Sequence, residues 1–497
     1  MAVAGAQRKQ VLKVLMISLL LDLVMTEHSF HCISFTFILP LFPSLLSFYR
    51  AQDPSPDSLL NRIFHYLNAY KNAFARPIDS RYDIVLLGGA LGSLFSLLQA
   101  FAAPVIGHLS DKHGRRRALL TAMVGNILSV ALWVSATDFR TFLASRIVGG
   151  LSEANVQLAN AIVADVTDEA RRGASMALVG ACFSIAFTFG PMLGAGLSTV
   201  DVVAANPFMA AAAVSLALIF LETVYLWACL PETHPQFTSL EQESEPRADE
   251  KKAAEPPKKP QPGTGSNGQV THTNNPALLN AVHFLFLLPF SGLEFSLPFI
   301  TTTIYAGTTS ASPAALNGRL LSMMGLIASL LQGTVVRRLP PLLTMRAGIV
   351  ACALSFFCLA RVDSVTGLYA AGALLAVTTA TVVTSLNSLG SFEAREANRG
   401  AVMGRLRGWG QAGRAAGPVL FCTLFWWAGR EAAFTIGGIA MSVVALLVFS
   451  LLKSPRCACE GRMMILYKIG IFYPQIVLTC FGGGIILWGL QVNVYGE

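Results

Sequence analysis

The sequence predicts an all-α membrane protein with twelve transmembrane helices in two six-helix bundles related by pseudo-two-fold symmetry. Three observations predict it. Of the 497 residues, 54% are hydrophobic and only 13% are charged, against about a quarter charged in soluble domains, and the mean hydropathy is +0.57. The apolar residues gather in runs near the roughly 20 residues a lipid-spanning helix needs. A polar stretch divides these runs into six and six, and the two halves repeat one another.

Taken in order, the spans are 11–46 (too long for one helix), 83–107, 118–136, 141–164, 175–198 and 208–230, then 277–303, 316–336, 345–361, 365–390, 400–427 and 431–452. Between the two sets, Glu241-Gln-Glu-Ser-Glu245, Lys251-Lys252 and Lys258-Lys259 stand among prolines and glycines. Such a composition buries too little apolar surface to fold. The expected organisation is therefore a first bundle over 1–230, a disordered linker over 231–276, a second bundle over 277–453 and an atypical tail over 454–497.

Orientation follows from lysine and arginine placement, because cytoplasmic loops carry the excess of cations. Arg8, Lys9 and Lys13 precede the first span, Lys112 and Arg115 to Arg117 follow the second, and Arg171-Arg172 follow the fourth. The linker, Arg337-Arg338 and Arg395 with Arg399 fall on the same face. The N-terminus and the linker are thus expected in the cytoplasm, of a plasma or an internal membrane. The formal net charge of +8 belongs to these short loops, so nucleic acid is not an expected partner. The nine cysteines lack metal-ligand spacing and read as small buried hydrophobes. No metal, cofactor or enzyme motif is present.

The repeat is explicit. Arg172-Gly-Ala-Ser-Met176 leads to Gly190-Pro191, and Arg399-Gly-Ala-Val-Met403 leads after the same gap to Gly417-Pro418. Asn160 meets Asn387 at that offset, and Gly92…Ser96-Leu-Leu-Gln99 matches Gly325…Ser329-Leu-Leu-Gln332. Two related halves suit a transporter whose halves rock about a central site.

Charges inside spans are the sharpest functional leads, since each costs at least about 2.5–3.5 kcal/mol in lipid. Asp22 lies in Leu-Leu-Asp-Leu of the first span, and Glu294 is its counterpart in the seventh. Each reads as a proton-binding carboxylate facing a cavity, or as a structural partner for a buried arginine. Arg146 in the fourth span either holds such a carboxylate ionised or snorkels to the boundary. Arg405, Arg407 and Arg414 share the eleventh span, and the seven-residue spacing puts Arg407 and Arg414 on one face, where they would attract an anionic substrate.

The turn Gly107-x-x-x-Asp111-x-x-Gly114-Arg115-Arg116, wedged between two spans, resembles the signature loop of the major facilitator superfamily. Arg146-x-x-x-Gly150 and Gly190-Pro191-x-x-Gly194 resemble patterns of its drug:proton antiporters, and Leu-Asp-Leu, Phe290-Ser-Gly-Leu-Glu294 and Arg414-Ala-Ala-Gly-Pro418 narrow the resemblance to tetracycline-transporter-like members of animals. The resemblance implies gating by Gly107, Asp111, Gly114 and Arg115, with Asp165 joining them. It implies proton coupling through Asp22, Glu294 and Arg146, and close helix packing at Gly190, Pro191, Gly194, Gly417 and Pro418. The cargo it implies is small organic anions or amphipathic drug-like compounds, exported in exchange for protons by a monomer. A facilitative or proton-symporting metabolite carrier, and a non-transporting receptor on the same fold, stand as alternatives. Two stretches depart from the pattern. Residues 25–34 read as an insertion, a splice or gene-model peculiarity in preference to a relay of Glu27, His28 and His31, and Tyr473-Pro474 with Gly482-Gly-Gly484 make the tail a poor thirteenth span, better read as translated non-native sequence than as a span or surface hairpin.

Overall fold

A computed structural model of the chain describes residues 8–18, 48–49, 51–52, 55, 57–74, 78, 83–197, 209–237, 273–304 and 313–455. Asp22, the 25–34 stretch, most of the linker and nearly all of the tail lie outside these residues. The helices are α1 (8–18), α2 (Leu59–Asn72), α3 (Asp83–His113), α4 (Arg115–Val134), α5 (Phe139–Ser152), α6 (Asn155–Val166), α7 (Glu169–Leu197) and α8 (Met209–Cys229), followed by α9 (Pro276–Ile304), α10 (Pro313–Leu331), α11 (Pro341–Ala360), α12 (Val365–Phe392), α13 (Arg399–Ala428) and α14 (Arg430–Leu451). Helices are the expected answer, because lipid offers no partner to a bare backbone amide. Eight are long and apolar enough to cross a membrane by length and composition.

The fourth span differs from its single-helix expectation. It breaks at Glu153 and Ala154 into α5 and α6. Gly149 and Gly150 stand just before the break, where their weak helix preference lowers the cost of interruption. The long outer loop 50–82 contains α2, which Ser58 caps by accepting from the Asn61 amide. Gly114 turns the chain from α3 into α4 at φ +94°, a backbone region that disfavours any residue with a Cβ.

Each half has its own apolar core. In the first, Leu119, Met123, Leu158, Ile162, Met176 and Ile219 pack together; in the second, Phe286, Met345, Phe356, Leu375, Phe434 and Met441 do so. Lipid is as apolar as these side chains, so packing and small residues, rather than water exclusion, hold the spans together. The outward faces carry exposed apolar residues such as Phe101, Trp427 and Leu446, as a lipid-facing surface requires.

The halves meet along α3 with α13, and along α7 with α10. These are repeat-related pairs, so the contact obeys the pseudo-two-fold. On the α3–α13 side the backbones nearly touch. A Cβ on Gly107 would lie 2.3 Å from the Gly400 carbonyl oxygen, and one on Gly404 would lie 2.5 Å from that of Ala103. Gly417, beside Pro418, repeats this closeness against α9: a Cβ there would meet the Leu288 carbonyl at 2.3 Å. Gly190, Pro191 and Gly194 lie on α7. In the second half, Asn274 donates to the Lys453 carbonyl at 2.9 Å and accepts from its amide at 2.8 Å, joining the start of α9 to the end of α14.

Candidate functional site

The site runs along the contact between the halves, from a charged lock at the end where α3 turns into α4 to a group of ionisable residues within the spans. The lock starts from Asp111 at the end of α3. Its Oδ1 accepts the Gly400 amide at 2.8 Å and its Oδ2 the Ala401 amide at 2.7 Å. A carboxylate of one half thus caps the first turn of α13 in the other, where the helix dipole favours negative charge. Arg115, wholly buried, donates from Nη1 to Asp111 Oδ1 at 2.6 Å and to Ser110 Oγ at 2.7 Å, and from Nε to Asp165 Oδ2 at 2.8 Å. The second oxygen of Asp165 accepts from Arg399 Nη1 at 2.6 Å.

Two further contributors are visible only in three dimensions. Glu232 accepts the amides of Arg115 and Arg116 at 2.9 and 3.2 Å, and those of Thr233 and His234 at 2.9 Å each. The segment 231–237 therefore closes the N-terminus of α4. His234 is fully buried there, and burial, reinforced by the Arg115 charge, holds its imidazole below the usual histidine range. Arg399 marks the repeat in the sequence; its partnership with Asp165 is a product of packing.

Within the membrane, Glu294 of α9 and Arg414 of α13 form an ion pair at 3.5 Å, with side chains 22% and 11% exposed. Arg407, seven residues before Arg414, is half-buried, and Arg405 is exposed. The Gln411 amide lies 2.6 Å from Gln99 Oε1 and 2.9 and 3.1 Å from Arg407 Nη2 and Nε. Oriented to suit both neighbours, it accepts from the guanidinium and donates to Gln99. Gln99 in turn donates to the Glu153 carbonyl at 3.3 Å. This chain of bonds joins the α5–α6 break in one half to a cation in the other.

The repeat supplies its mate. Gln332, equivalent to Gln99, accepts from Ser184 Oγ at 2.6 Å, and Ser184 is the residue equivalent to Gln411. Only the α13 side ends in an arginine. Arg146 is buried, lies 3.3 Å from Ser145 Oγ through Nε and faces the rings of Phe142 and Trp133 at 5.4 and 5.9 Å.

Two carboxylates inside the membrane escaped the sequence reading. Glu153 is 3% exposed beside the helix break, and Glu222 of α8 is 1% exposed and accepts from Ser18 Oγ at 2.6 Å. An acid within an apolar run was the available signal for both.

The opposite end is bridged as well. Tyr70 of α2 lies 3.0 Å from Thr423 Oγ1 on α13, and Lys71 pairs with Asp83 at the start of α3. Burial pushes the Tyr70 phenol well above its usual range, so it stays a neutral hydroxyl. Phe74 and Phe295 continue this outer contact as apolar packing.

This architecture matches known proteins along most of its length. The sequence profile of the Major Facilitator Superfamily matches residues 29–418. "Major facilitator superfamily domain-containing protein 10" of Mus musculus is 34% identical over 90% of this chain and 94% of the mouse protein. The "Tetracycline resistance protein, class D" of Salmonella ordonez is 27% identical over 74% of this chain and 86% of its own. Among solved structures, the crystal structure of the human organic anion transporter MFSD10 (TETRAN) superposes with a TM-score of 0.72 at 30% identity, covering 89% of this chain and 99% of that one. The xylose symporter XylE, described as a proton:xylose symporter, shares the fold at a TM-score of 0.63 and 13% identity. The chain belongs to the Major Facilitator Superfamily and is a multi-pass membrane transporter.

Proposed function

We propose that this protein exports small organic anions or amphipathic drug-like compounds by proton-coupled alternating access. One observation carries the anionic cargo and the link to protons, though not the direction of exchange: Arg414, paired with Glu294 inside the spans at the contact between the halves, with Arg407 one face-repeat away. A guanidinium stays charged at any physiological pH and presents a planar fork suited to carboxylates and sulfonates. The 30%-identical structure described as an organic anion transporter supports the same cargo class.

In this mechanism the substrate anion and the Glu294 carboxylate compete for Arg414. Asp111, Arg115, Asp165 and Arg399 hold the cytosolic end closed, and their separation opens it. Asp22 and Glu294 exchange protons with either side, and Arg146 couples that exchange to transport. Whichever ligand binds one state better shifts the balance by its differential affinity alone.

The Glu294–Arg414 pair also favours a second reading, proton symport. A proton on Glu294 frees Arg414 for the anion, so proton and anion bind together there. Exchange requires the opposite sign of linkage, which falls to Asp22 and Arg146. Proteoliposomes with an imposed pH gradient separate the two. Antiport drives labelled organic anion away from the alkaline compartment into the acidic one. Symport drives it into the alkaline compartment. Flux indifferent to the gradient overturns proton coupling, and tight binding without counterflow overturns transport itself.

A further inference from the structure

Where α4 and α8 reach the cytosol, the surface opens into a cavity of about 480 Å³, remote from the membrane-embedded residues. His113, Arg116 and Arg117 from the α3–α4 turn form one wall, and Leu230, Pro231 and Phe237 from the end of α8 form the other. Gln10 of α1 closes a third side.

The charge in this cavity is one-sided. Its carboxylate, Glu232, is occupied by four backbone amides. Arg116 spends Nη2 on the Trp227 carbonyl, and its Nε is buried with no acceptor. Glu232 is the one acid among the lining residues, so Arg116 and the exposed Arg117 are left to attract an anion through charge-assisted hydrogen bonds.

The neighbourhood of the cavity is apolar in the direction of the membrane. Val124 and Leu128 on α4, and Phe220, Val224 and Trp227 on α8, are exposed along the two spans that lead into it. A ligand that fits carries a phosphate at one end and hydrocarbon at the other. We propose that this cavity binds the phosphate group of an anionic phospholipid of the cytosolic leaflet, with the acyl chains lying along α4 and α8. The site touches the lock, since Glu232 and Arg115 share a hydrogen bond, but the inference does not depend on the transport reading.

The test uses the full chain in mixed phosphatidylcholine and phosphatidic acid micelles, with retained lipid counted by native mass spectrometry. Wild type is expected to retain phosphatidic acid in preference to phosphatidylcholine. Each removed cation should weaken that retention roughly fivefold, from about 1 kcal/mol per surface cation. Arg116→Gln/Arg117→Gln is the primary variant. His113→Gln/Arg117→Gln, which changes only exposed side chains, repeats the measurement without touching the Trp227 bond. Arg140→Gln, at the opposite face, removes a cation and should change nothing. Equal retention by wild type and both double variants overturns the proposal. Glycerol 3-phosphate or inorganic phosphate is added in parallel. Displacement of the lipid by either shows a site for free phosphate and overturns the lipid assignment; no displacement supports it.

Discussion

Arg172 and Arg399 occupy equivalent positions in the two halves and are held by equivalent carbonyls but unlike side chains. Arg399 Nη1 donates to the Ala164 carbonyl at 3.1 Å, and Arg172 Nη1 to that of Ser391 at 3.3 Å. Ala164 and Ser391 are themselves repeat mates. The next residue differs: Asp165 forms an ion pair with Arg399, while Phe392 lies 5.2 Å beneath the Arg172 guanidinium. The lock is symmetric in backbone and asymmetric in charge, so its electrostatic strength sits on the α3–α13 side.

That asymmetry sets the first expectation. Arg399→Ala leaves Asp165 buried with one partner instead of two and should cost about 3 kcal/mol. Arg172→Ala should cost about 1 kcal/mol, the scale of a cation–π contact. Thermal unfolding and the labelling rate of a cysteine placed at the cytosolic end measure both. Equal effects would show that Phe392 holds its arginine as firmly as Asp165 does.

Close packing gives a second. A Cβ on Gly400 would stand 2.3 Å from Ser110 Oγ and 2.5 Å from the Gly107 carbonyl oxygen. Gly400→Ala should therefore force α3 and α13 apart and raise labelling at this end, and so should Asp111→Asn, whose NH2 cannot accept the second amide and whose lost charge breaks the buried Arg115 pair, at about 3 kcal/mol. Gly333→Ala, with open space at its Cβ, is the neutral comparison.

The mid-membrane residues give a third. Arg414→Ala should weaken anion affinity about tenfold to a hundredfold, the range for a hydrogen bond to a charged group. Glu294→Gln should flatten the pH dependence of uptake while leaving the anion bound. Gln411→Leu should raise KM by less than Arg414→Ala, since it releases Arg407 without removing it. Counterflow of a labelled organic anion measures all three. An Arg414→Ala protein with wild-type KM would remove this arginine from the substrate site.

The fourth concerns pH at the lock. His234 has a depressed pKa in the folded protein, so the unfolded or opened chain binds more protons and stability rises with pH. The contribution is complete above about pH 6.5, the ordinary imidazole value. It is lost progressively as pH falls from there toward the folded pKa. Cytosolic acidification should therefore loosen the lock, and His234→Phe should abolish that part of the pH dependence in thermal melts. An unchanged profile in the variant would assign the dependence to another group.

Hydropathy, turn chemistry and the repeat made most of the architecture readable before any coordinates. The break at Glu153 was the exception within the described spans. The run 141–164 reads as one helix by overall hydropathy, and the signals of the break were local: the Gly149-Gly150 pair and the polar Ser152, Glu153, Asn155 and Gln157. The helix α2 was hidden for a different reason: it lies outside the spans, its buried Leu60 and Phe64 pack against Leu87, Trp133 and Phe142 far along the same half, and only its end reaches the other half, through Tyr70 and Phe74.

The sequence by itself determined where the lipid-spanning runs lie and that the two halves repeat one pattern, and its charge bias sets the expected orientation. These follow from transfer free energies and charge bias summed over neighbouring residues. Tertiary structure alone decided which charges meet. Asp111 finds Gly400, Asp165 finds Arg399 and Glu294 finds Arg414 across more than a hundred residues of chain. Ion pairing depends on distances of a few ångström between side chains, and those distances are fixed by how helices pack, not by the order in which their residues occur.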